Sequence, residues 1–269
     1  MRTALTIAGS DSGGGAGIQA DLRTFTAHGV FGTSAITAIT AQNTLGVSRV
    51  LALPADLVVA QIDAVVSDLG ADAVKIGMVA TADIASAVAA AIARHRLERV
   101  VLDPVMVAKG GAHLLSPDAV TVIRHELMPR AVVTTANVPE AEALTGRLIQ
   151  DVAGLRDAAR ALVAAGAPAA LVKGGHLAGP AIDVLYDGAT FTELQSERID
   201  TRHTHGTGCT FAAAIAAQLA LGATLVDAVR AAKAYVTHAI RHAPGLGHGH
   251  GPLGPGFPTE SSRTSNLGT

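Results

Sequence analysis

The sequence predicts an α/β fold in which helices cover both faces of a mainly parallel sheet. Short apolar runs alternate with helical patterns along most of the 269 residues, which is the pattern of repeated strand–helix units. Hydrophobic residues make up 49% of the chain and aromatic residues only 3%, so the core must be aliphatic, as in buried parallel strands. The rhythm changes at Asp187-Gly188, where two flanking strand patterns predict an antiparallel edge hairpin.

The first half of the chain is predicted to hold four strands and three helices. The strands lie at residues 5–8, 34–40, 73–76 and 100–102, and the helices at about 16–28, at 54–69 and from 81 onward. Pro54 suits a first helical turn, and Gly70 suits the end of the same helix. Thr81 is a suitable N-cap for the third helix. Each strand therefore ends in a loop.

The second half continues the pattern and closes with two helices. Strands at residues 131–134 and 169–172 alternate with helices that begin at Ser116-Pro117 and span residues 151–165. The hairpin strands follow at 182–186 and 190–194. Two further helices begin at Gly206 and Thr224 and complete the predicted fold.

Composition and charge exclude several classes of protein. A net charge of −2 gives no electrostatic reason to expect nucleic-acid binding. We expect neither a signal peptide nor a membrane-spanning helix, because the chain starts with a strand pattern and its most apolar window, residues 211–226, is interrupted. Cys209 is the single cysteine, which excludes an internal disulfide framework and fits a reducing compartment. We therefore expect a cytoplasmic protein without nucleic-acid or membrane partners.

The C-terminal residues differ in composition from the rest. We expect one domain over residues 1–246 and a glycine- and proline-rich tail over 247–269, disordered beyond about residue 257. His248 and His250 in this tail lack further ligands at a fixed spacing. The sequence therefore does not favour a metal site there.

Polar and flexible residues recur just after the predicted strands. In a parallel sheet, ligands bind outside the carboxyl ends of the strands, so we expect these residues to meet in one site. They are Gly9, Asp11, Gln42, Asn43, Gly77, Met78, Asp103, Asn137, Glu140 and residues 173–176 and 206–209.

The segment 203–217 carries the strongest of these signals. Gly206-Thr207-Gly208 precedes an alanine-rich helical run, so unpaired N–H groups and flexible glycines meet at a helix N-terminus, which favours an oxyanion or a phosphoryl group. Cys209 lies in the first turn, where the helix dipole favours a thiolate or a polarised hydrogen-bond acceptor. The alternative is a helix that merely starts with glycine and buries a small cysteine.

Three oxygen-bearing side chains at the strand ends are candidate metal ligands. Asp103, Asn137 and Glu140 carry the oxygen atoms that Mg²⁺ prefers, alongside water and substrate phosphate. The alternative for Asn137 is the N-cap of a helix that starts at Val138-Pro139. Lys173, before two glycines, could place an ammonium on a phosphate, and its alternative is a solvated lysine before a turn.

Two common nucleotide-binding motifs are incomplete. The segment GAGIQA at residues 15–20 fits the loose dinucleotide fingerprint, but the second strand does not end in the acidic residue that would bind the ribose. Lys173-Gly174-Gly175 has the wrong order for a Walker loop. The sequence thus disfavours a dehydrogenase and a P-loop enzyme.

A series of motifs, in order, resembles one known family. The motifs are AGSDSGGGAGIQADL at residues 8–22, AQNT at 41–44, KIGM at 75–78, LDPV at 102–105, VKGGH at 172–176 and THGTGCT at 204–210. Together they resemble the hydroxymethylpyrimidine/phosphomethylpyrimidine kinases of thiamin synthesis, which belong to the ribokinase-like superfamily. The resemblance extends over roughly residues 3–252.

This resemblance implies a ribokinase-like three-layer sandwich that uses ATP and Mg²⁺. The acceptor would be the hydroxymethyl group of an aminopyrimidine and then the phosphate of its monophosphate. By resemblance, the anion hole is formed by Gly206, Thr207 and Gly208, and Cys209 takes the position of the base. The pyrimidine pocket would be lined by Gly9, Asp21, Gln42, Met78 and Val105. The metal would be held by Asp103, Asn137 and Glu140, and the nucleotide by Asp103, Asn137, Lys173 and Gly175.

Two alternative functions stay open. A pyridoxal kinase of the same subfamily would phosphorylate the hydroxymethyl group of a different ring, although some of these kinases use a second cysteine on a lid and this chain has one cysteine. A non-catalytic pyrimidine-binding protein is disfavoured by the intact Gly-Thr-Gly-Cys segment. The resemblance also implies a homodimer.

Overall fold

A computed structural model of the chain describes residues 1–107, 111 and 114–254. Its strands, numbered in chain order, are β1 (Thr3–Asp11), β2 (Phe31–Asn43), β3 (Gly46–Ala52), β4 (Ala73–Ile76), β5 (Val100–Leu102), β6 (Val133–Asn137), β7 (Ala170–Lys173), β8 (Ala181–Tyr186) and β9 (Phe191–Ser196). They form one sheet in the order β3-β2-β1-β4-β5-β6-β7-β8-β9.

Helices connect most of these strands. They are α1 (Gly17–Ala27), α2 (Ala55–Asp68), α3 (Ala82–His95), α4 (Pro117–Val122), α5 (Val138–Thr145), α6 (Val152–Ala164), α7 (Thr207–Ala220) and α8 (Leu225–Arg241). After α4 the chain continues through a π-helical turn, Ile123–Leu127, and a 3-10 turn, Met128–Arg130. In the part of the chain that the structure describes, no helix is both long enough and apolar enough to cross a membrane.

The predicted α/β class and mainly parallel sheet are confirmed, but antiparallel pairing occurs at both edges. The central strands, from β2 across to β7, run parallel, and β8 and β9 add the predicted hairpin. At the other edge β3 pairs antiparallel with β2, which the sequence did not lead us to expect. The turn between them lacks an Asn-Gly pair. Instead, Asn43 Oδ1 accepts hydrogen bonds from the N–H groups of Leu45 and Gly46.

Alternation along the strands produces a core on each face of the sheet. Leu5 and Ile7 of β1 join one core, which includes residues of α2, α3, α5 and α6. Ala4 of the same strand joins the other core, with residues of α1, α7 and α8. The sheet is therefore the middle of three layers, and both its faces are covered, as expected for parallel strands.

The first part of the predicted tail packs against the rest of the chain. The N–H groups of Gly249 and His250 donate to Thr44 Oγ1 and to the Thr44 carbonyl, at 3.2 and 2.8 Å. Pro252 forms a bridge with His205. The division of the chain at residue 246 stays a prediction, and the disorder expected beyond residue 257 lies outside the described residues.

Candidate active site

A cavity of about 830 Å³ opens at the carboxyl ends of the parallel strands. It is lined by Gly9, Gln42, Met78, Asp103, Val105, Asn137, Glu140, Lys173, Gly175, Gly206, Thr207, Gly208 and Cys209. Asp21 does not line it, and neither do Asn43, Gly77 and Gly174, which were also expected at the strand ends. The rule that ligands bind at these strand ends therefore brings together residues from distant parts of the chain.

Glycine at position 206 shapes the start of α7. Gly206 has a φ of +80°, which other residues rarely adopt, and a Cβ there would lie 1.9 Å from the Gly15 carbonyl oxygen. As the N-cap of α7, Gly206 supplies no side-chain acceptor to the first turn. Thr207 Oγ1 turns back and donates to the Thr204 carbonyl at 2.7 Å. The Thr207 N–H donates to the same carbonyl at 3.3 Å, but no N-cap side chain accepts from the rest of the turn. Together with the helix dipole, this makes the N-terminal end of α7 suitable for an anion.

An ion pair lies beside that helix end. Lys173 Nζ is 2.8 Å from Asp103 Oδ1, and Thr135 Oγ1 donates to the same oxygen at 2.7 Å. A Cβ built on Gly208 would lie 3.3 Å from Lys173 Nζ, so glycine keeps the helix close to the pair. Burial would raise the pKa of Asp103, but Lys173 and then Lys75 hold it below its usual value. The pair therefore consists of a carboxylate and an ammonium.

Asn137 and Glu140 form a capping box at the start of α5. Asn137 Oδ1 accepts from the Glu140 N–H at 2.9 Å, and Glu140 Oε2 accepts from the Asn137 N–H at 2.8 Å. The alternative role of Asn137 as an N-cap is thus confirmed, while both side chains also line the cavity. Burial raises the pKa of Glu140 to about 7, with Lys173 acting in the opposite direction. Additional positive charge nearby would favour its carboxylate.

The predicted metal ligands do not enclose a metal by themselves. Among residues 1–107, 111 and 114–254, no group of three or more His, Cys, Asp or Glu side chains is arranged to hold a metal ion. Asp103, Asn137 and Glu140 would therefore suit Mg²⁺ only with phosphate and water as the remaining ligands, which is the way this ion usually binds. We call Asp103, Glu140 and Lys173 the charged end of the cavity.

Cys209 lies in the first turn of α7 and carries a protonated thiol near neutral pH. Burial raises the pKa of this thiol to about 11, although Lys75 lowers it. Of the two states that the helix dipole favours, a thiolate is therefore the minor one near neutral pH, because burial outweighs the dipole. The other expected state, a polarised acceptor, fits the Gly17 backbone N–H, which lowers the pKa of this thiol slightly.

The part of the cavity near β1, β2 and β4 combines apolar and polar side chains, with Asp11, Thr40 and Lys75 among the polar ones. Within it, we call Gly9, Gln42, Met78 and Val105 the amide end. A Cβ on Gly9 would lie 3.1 Å from Met78 Sδ, so the glycine leaves space for a flat group beside the thioether. Gln42 contributes an amide with two donors and an acceptor. This end can therefore hold a ring and recognise its polar edge.

Asp21 does not line the cavity, which corrects its predicted place in the pyrimidine pocket. It lies on the buried, sheet-facing side of α1, where its Oδ2 accepts from Thr6 Oγ1 at 2.6 Å and from Lys75 Nζ at 2.8 Å. Lys75 is the member of this pair that lines the cavity. Burial disfavours its ammonium, but Asp21 raises the pKa of Lys75 above its usual value. Asp21 thus affects the cavity only through its ion pair with Lys75.

Three residues of the site received no role from the sequence. Lys75 is charged but lies inside the otherwise apolar strand Ala73–Ile76, and a buried charge of this kind is a signal that could have found it. Asp11 was noted only for its position after the first predicted strand, at residues 5–8. His205 Nε2 lies 2.8 Å from Asp11 Oδ2, and no local pattern reveals this contact because 194 positions separate the two residues.

Comparison with known proteins decides the family. The sequence matches the profile of the phosphomethylpyrimidine kinases over residues 11–254. The chain belongs to this family. Hydroxymethylpyrimidine/phosphomethylpyrimidine kinases of Haemophilus influenzae and Rhizobium meliloti are 51% and 55% identical to it, over 94% and 93% of this chain and 96% and 95% of theirs. A thiamine biosynthesis bifunctional protein of Geobacter sulfurreducens is 54% identical over 93% of this chain, which spans 51% of the length of that protein.

Solved structures of two kinases share the fold. The ADP complex of Bacillus subtilis pyridoxal kinase superposes with a TM-score of 0.89 and 42% identity, over 98% of this chain and 100% of that one. A phosphomethylpyrimidine kinase from Clostridium difficile superposes with a TM-score of 0.80 and 43% identity, over 89% and 100% of the two chains. The resemblance predicted from the motifs is therefore confirmed, and the family is one of phosphotransferases.

Proposed function

We propose that this kinase transfers the phosphoryl group of ATP first to the hydroxymethyl group of 4-amino-5-hydroxymethyl-2-methylpyrimidine and then to the resulting monophosphate. The observation that carries the proposal is a single cavity in which an uncapped helix N-terminus lies between the amide end and the charged end. A ring with a hydroxymethyl arm fits the amide end, and the phosphates of ATP fit the charged end. The names of relatives that are 51% and 55% identical support this acceptor.

The first turn of α7 would act as the anion hole for the transferring phosphoryl group. N–H groups at Gly206 and Gly208 are held in place before the reaction, so they can stabilise negative charge without rearrangement. The Thr207 N–H would exchange its 3.3 Å hydrogen bond to the Thr204 carbonyl for a phosphoryl oxygen. Lys173 adds an ammonium close to Gly208, and its ion pair with Asp103 keeps it there. Phosphoryl transfer requires mainly positioning and charge neutralisation, and these groups supply both.

ATP and Mg²⁺ suit the charged end because of its donor groups. Glu140, whose pKa burial raises to about 7, would ionise more completely beside a cation. Asp103, Asn137 and Glu140 would hold Mg²⁺ partly through water, and Lys173 and Gly175 would contact the nucleotide. Bound Mg²⁺ would supply charge neutralisation on the phosphate oxygens.

Cys209 would matter more for the first phosphorylation than for the second. With a thiol pKa of about 11, its basic form is a minor species at neutral pH. The alcohol therefore keeps its proton until late in the transfer, which a loose transition state allows. The second acceptor is already an anionic phosphate, so little or no proton removal is needed there.

The second candidate is a pyridoxal kinase. The pyridoxal kinases of Bacillus subtilis and Staphylococcus aureus favour it, with TM-scores of 0.89 and 0.88. Their sequence identities to this chain, 42% and 36%, are lower than the 51% and 55% of the pyrimidine kinases. In addition, the pyridoxal ring has no amine next to its ring nitrogen, so it could form fewer hydrogen bonds with the Gln42 amide. We therefore place the aminopyrimidine first.

A coupled ATP-consumption assay tests the proposal. It compares hydroxymethylpyrimidine, its monophosphate and pyridoxal at equal concentrations. We expect both pyrimidine acceptors to be phosphorylated with a higher kcat/KM than pyridoxal. A higher kcat/KM for pyridoxal would make the second candidate correct. If no ATP is consumed with any of the three acceptors, the chain is a non-catalytic binding protein.

The proposal includes the setting in which the kinase works. We place it in the cytoplasm as a homodimer that uses small-molecule substrates and has no nucleic-acid or membrane partner. The net charge of −2 supports the absence of a nucleic-acid partner. Light scattering during size-exclusion chromatography measures the molar mass of the protein and so tests the dimer. The mass of a single chain would contradict it.

A further inference from the structure

His205 is a buried polar side chain that the chemistry described above leaves without a role. It is 7% exposed, it immediately precedes Gly206, and it lines the cavity. Its ring nitrogen Nε2 lies 2.8 Å from Asp11 Oδ2 and 3.3 Å from Gln42 Nε2. One side chain therefore contacts the amide end while its backbone leads into the anion hole.

Asp11 decides where the proton of His205 lies. Its carboxyl group accepts hydrogen bonds from the N–H groups of Gly13, Gly15 and Ala16 at 2.8–3.0 Å. Burial would raise the pKa of Asp11, but His205 and the backbone N–H groups hold it below its usual value. Asp11 is therefore a carboxylate that only accepts, so the facing nitrogen of His205 carries a proton and donates it.

That proton decides the orientation of the Gln42 amide. The one Nε2–H of His205 is donated to Asp11 at 2.8 Å, so this nitrogen has no lone pair to accept from an amide N–H at 3.3 Å. The amide oxygen of Gln42 therefore belongs on this side, where it shares that proton as a second, more distant acceptor. The amide nitrogen then faces Thr40 Oγ1, which lies 3.0 Å from the other end of the amide. Thr40 Oγ1 can donate its own proton to the Ser10 carbonyl at 3.1 Å. In this order every donor meets an acceptor, whereas the reverse order places two N–H donors against each other.

The surrounding chain holds both residues in place. The Gln42 N–H donates to Ser12 Oγ at 2.8 Å, and the Gln42 carbonyl accepts from the same hydroxyl at 2.9 Å. The His205 N–H donates to the Gly251 carbonyl at 3.1 Å. A Cβ on Gly15 would lie 2.2 Å from His205 Cδ2, so the ring is packed directly on that glycine. The order of the amide is therefore set before a substrate binds.

An amide held in this order presents one N–H and one oxygen lone pair to a ligand, in a defined sequence. An aminopyrimidine has an amine, which donates, next to a ring nitrogen, which accepts, and pyridoxal has no amine in that position. We propose that His205 is a specificity-determining positioning residue, which orients the Gln42 amide toward the amine and ring nitrogen of an aminopyrimidine. The inference rests on the proposed function for the identity of the acceptor.

A double-mutant cycle between His205 and Gln42 tests this inference. The variants are His205→Leu, Gln42→Leu and the double variant, with His205→Gln as the conservative change because a glutamine N–H can replace the Nε2–H. For each protein, the KM for the aminopyrimidine, the KM for ATP and the inhibition constant of pyridoxal are measured. His248→Leu, at an exposed histidine outside the cavity lining, is the matched control.

We expect His205→Leu to raise the KM for the aminopyrimidine about tenfold. The KM for ATP and the inhibition constant of pyridoxal should change by less than about twofold. His205→Gln should restore most of the loss. Adding His205→Leu to Gln42→Leu should raise the KM no further, because residues that act through one contact are not additive.

Equal losses for the aminopyrimidine, ATP and pyridoxal would overturn the inference, since His205 would then only support the loop. Additive losses in the double variant would also overturn it. If His205→Leu does not fold, as seen in its thermal melting, His205→Gln and a His205→Asn variant without a suitably placed N–H take over the comparison, with the same expected contrast. Failure of the proposed function would be seen elsewhere, because the unsubstituted protein would then not phosphorylate the aminopyrimidine.

Discussion

The two ends of the cavity differ in the kind of force that they can exert. The charged end holds the Lys173–Asp103 ion pair at 2.8 Å and a carboxyl group, Glu140, with a pKa of about 7. The amide end holds apolar side chains and the amide of Gln42, whose neighbours are a hydroxyl and a histidine. A charge acts over several ångströms in many directions, whereas an amide acts only on a group aligned with its N–H or its oxygen.

This difference assigns different kinetic effects to the two ends. Groups at the charged end would stabilise charge that develops in the transition state, so their loss should lower kcat for every acceptor. Groups at the amide end would bind the ring equally before and during transfer, so their loss should raise the KM for one acceptor. A substitution at one end that produced the kinetic effect expected of the other end would contradict this assignment.

Removing the ammonium at the charged end should have the largest effect. We expect Lys173→Met to lower kcat about 100- to 1,000-fold for both pyrimidine acceptors, because a fixed positive group beside the phosphoryl group is lost. Steady-state kinetics with each acceptor measures this. Arg160→Met, which removes a cation from an exposed ion pair with Asp157, is the control. An effect confined to the KM of the pyrimidine would contradict the assignment.

Removing the thiol should separate the two phosphorylation steps. Cys209→Ala should lower kcat on the alcohol about 100-fold, with a smaller loss on the monophosphate. The thiolate fraction grows as the pH rises toward a pKa of about 11, so the rate of the parent on the alcohol should rise between pH 7 and about pH 9.5. The variant should lack this rise. Small and equal losses on both acceptors would show that Cys209 only packs.

Removing the amide should change affinity for one substrate. Gln42→Leu should raise the KM for the aminopyrimidine roughly ten- to hundredfold, since polar atoms of the ring lose their partners. The KM for ATP should stay nearly unchanged. Gln150→Leu, at an exposed glutamine, controls for the general effect of the substitution. If the KM for ATP rises equally, Gln42 does not read the ring.

The smallest effect should come from Glu140→Gln, which keeps the capping geometry and removes a charge. Activity should fall and recover in part at high Mg²⁺, if Glu140 acts near the metal. Glu142→Gln on the same helix, outside the cavity lining, is the control. Unchanged Mg²⁺ dependence together with a large fall in Tm would favour a purely capping role.

The same variant carries a pH-dependent stability effect. The folded-state pKa of Glu140, about 7, lies above its ordinary 4.5, so folding favours the protonated form. The stability from this group is fully present below pH 4.5 and is lost as the pH rises through 7. Glutamine stays neutral, so the Tm of the variant relative to the parent should increase between pH 5 and pH 8, by about 2–4 °C for each kcal/mol. A constant difference in Tm would contradict the raised pKa.

Sequence patterns predicted the elements well where a strand is buried on both faces. The mainly apolar run at residues 73–76 and the apolar run at 100–102 coincide with β4 and β5, because a central parallel strand is buried on both faces and is therefore mostly apolar. β3 was not predicted from the sequence because it is an exposed edge strand, with most of its side chains in solvent. Such a strand is stabilised by pairing with β2 and by the Asn43 turn, and neither leaves a strong apolar pattern.

The residues of the candidate site also divide into those that the sequence could place and those that it could not. Residues directly after strands could be assigned to one cavity, since sheet geometry alone brings strand ends together. Asp21 could not be placed, because its contact with Lys75 depends on how α1 packs on the sheet. The contacts of His205 with Asp11 and Gln42 join segments that are distant in sequence, and only the folded chain brings them together.

The central claim is that one cavity carries out both phosphorylations. Phosphorus NMR of a mixture of the protein, hydroxymethylpyrimidine, Mg²⁺ and excess ATP follows both products directly. The claim predicts that a phosphate monoester resonance appears first and is then replaced by the coupled pair of resonances of a diphosphate ester, with both steps slowed in Lys173→Met. Accumulation of the monoester alone, with no diphosphate ester formed, would contradict the claim.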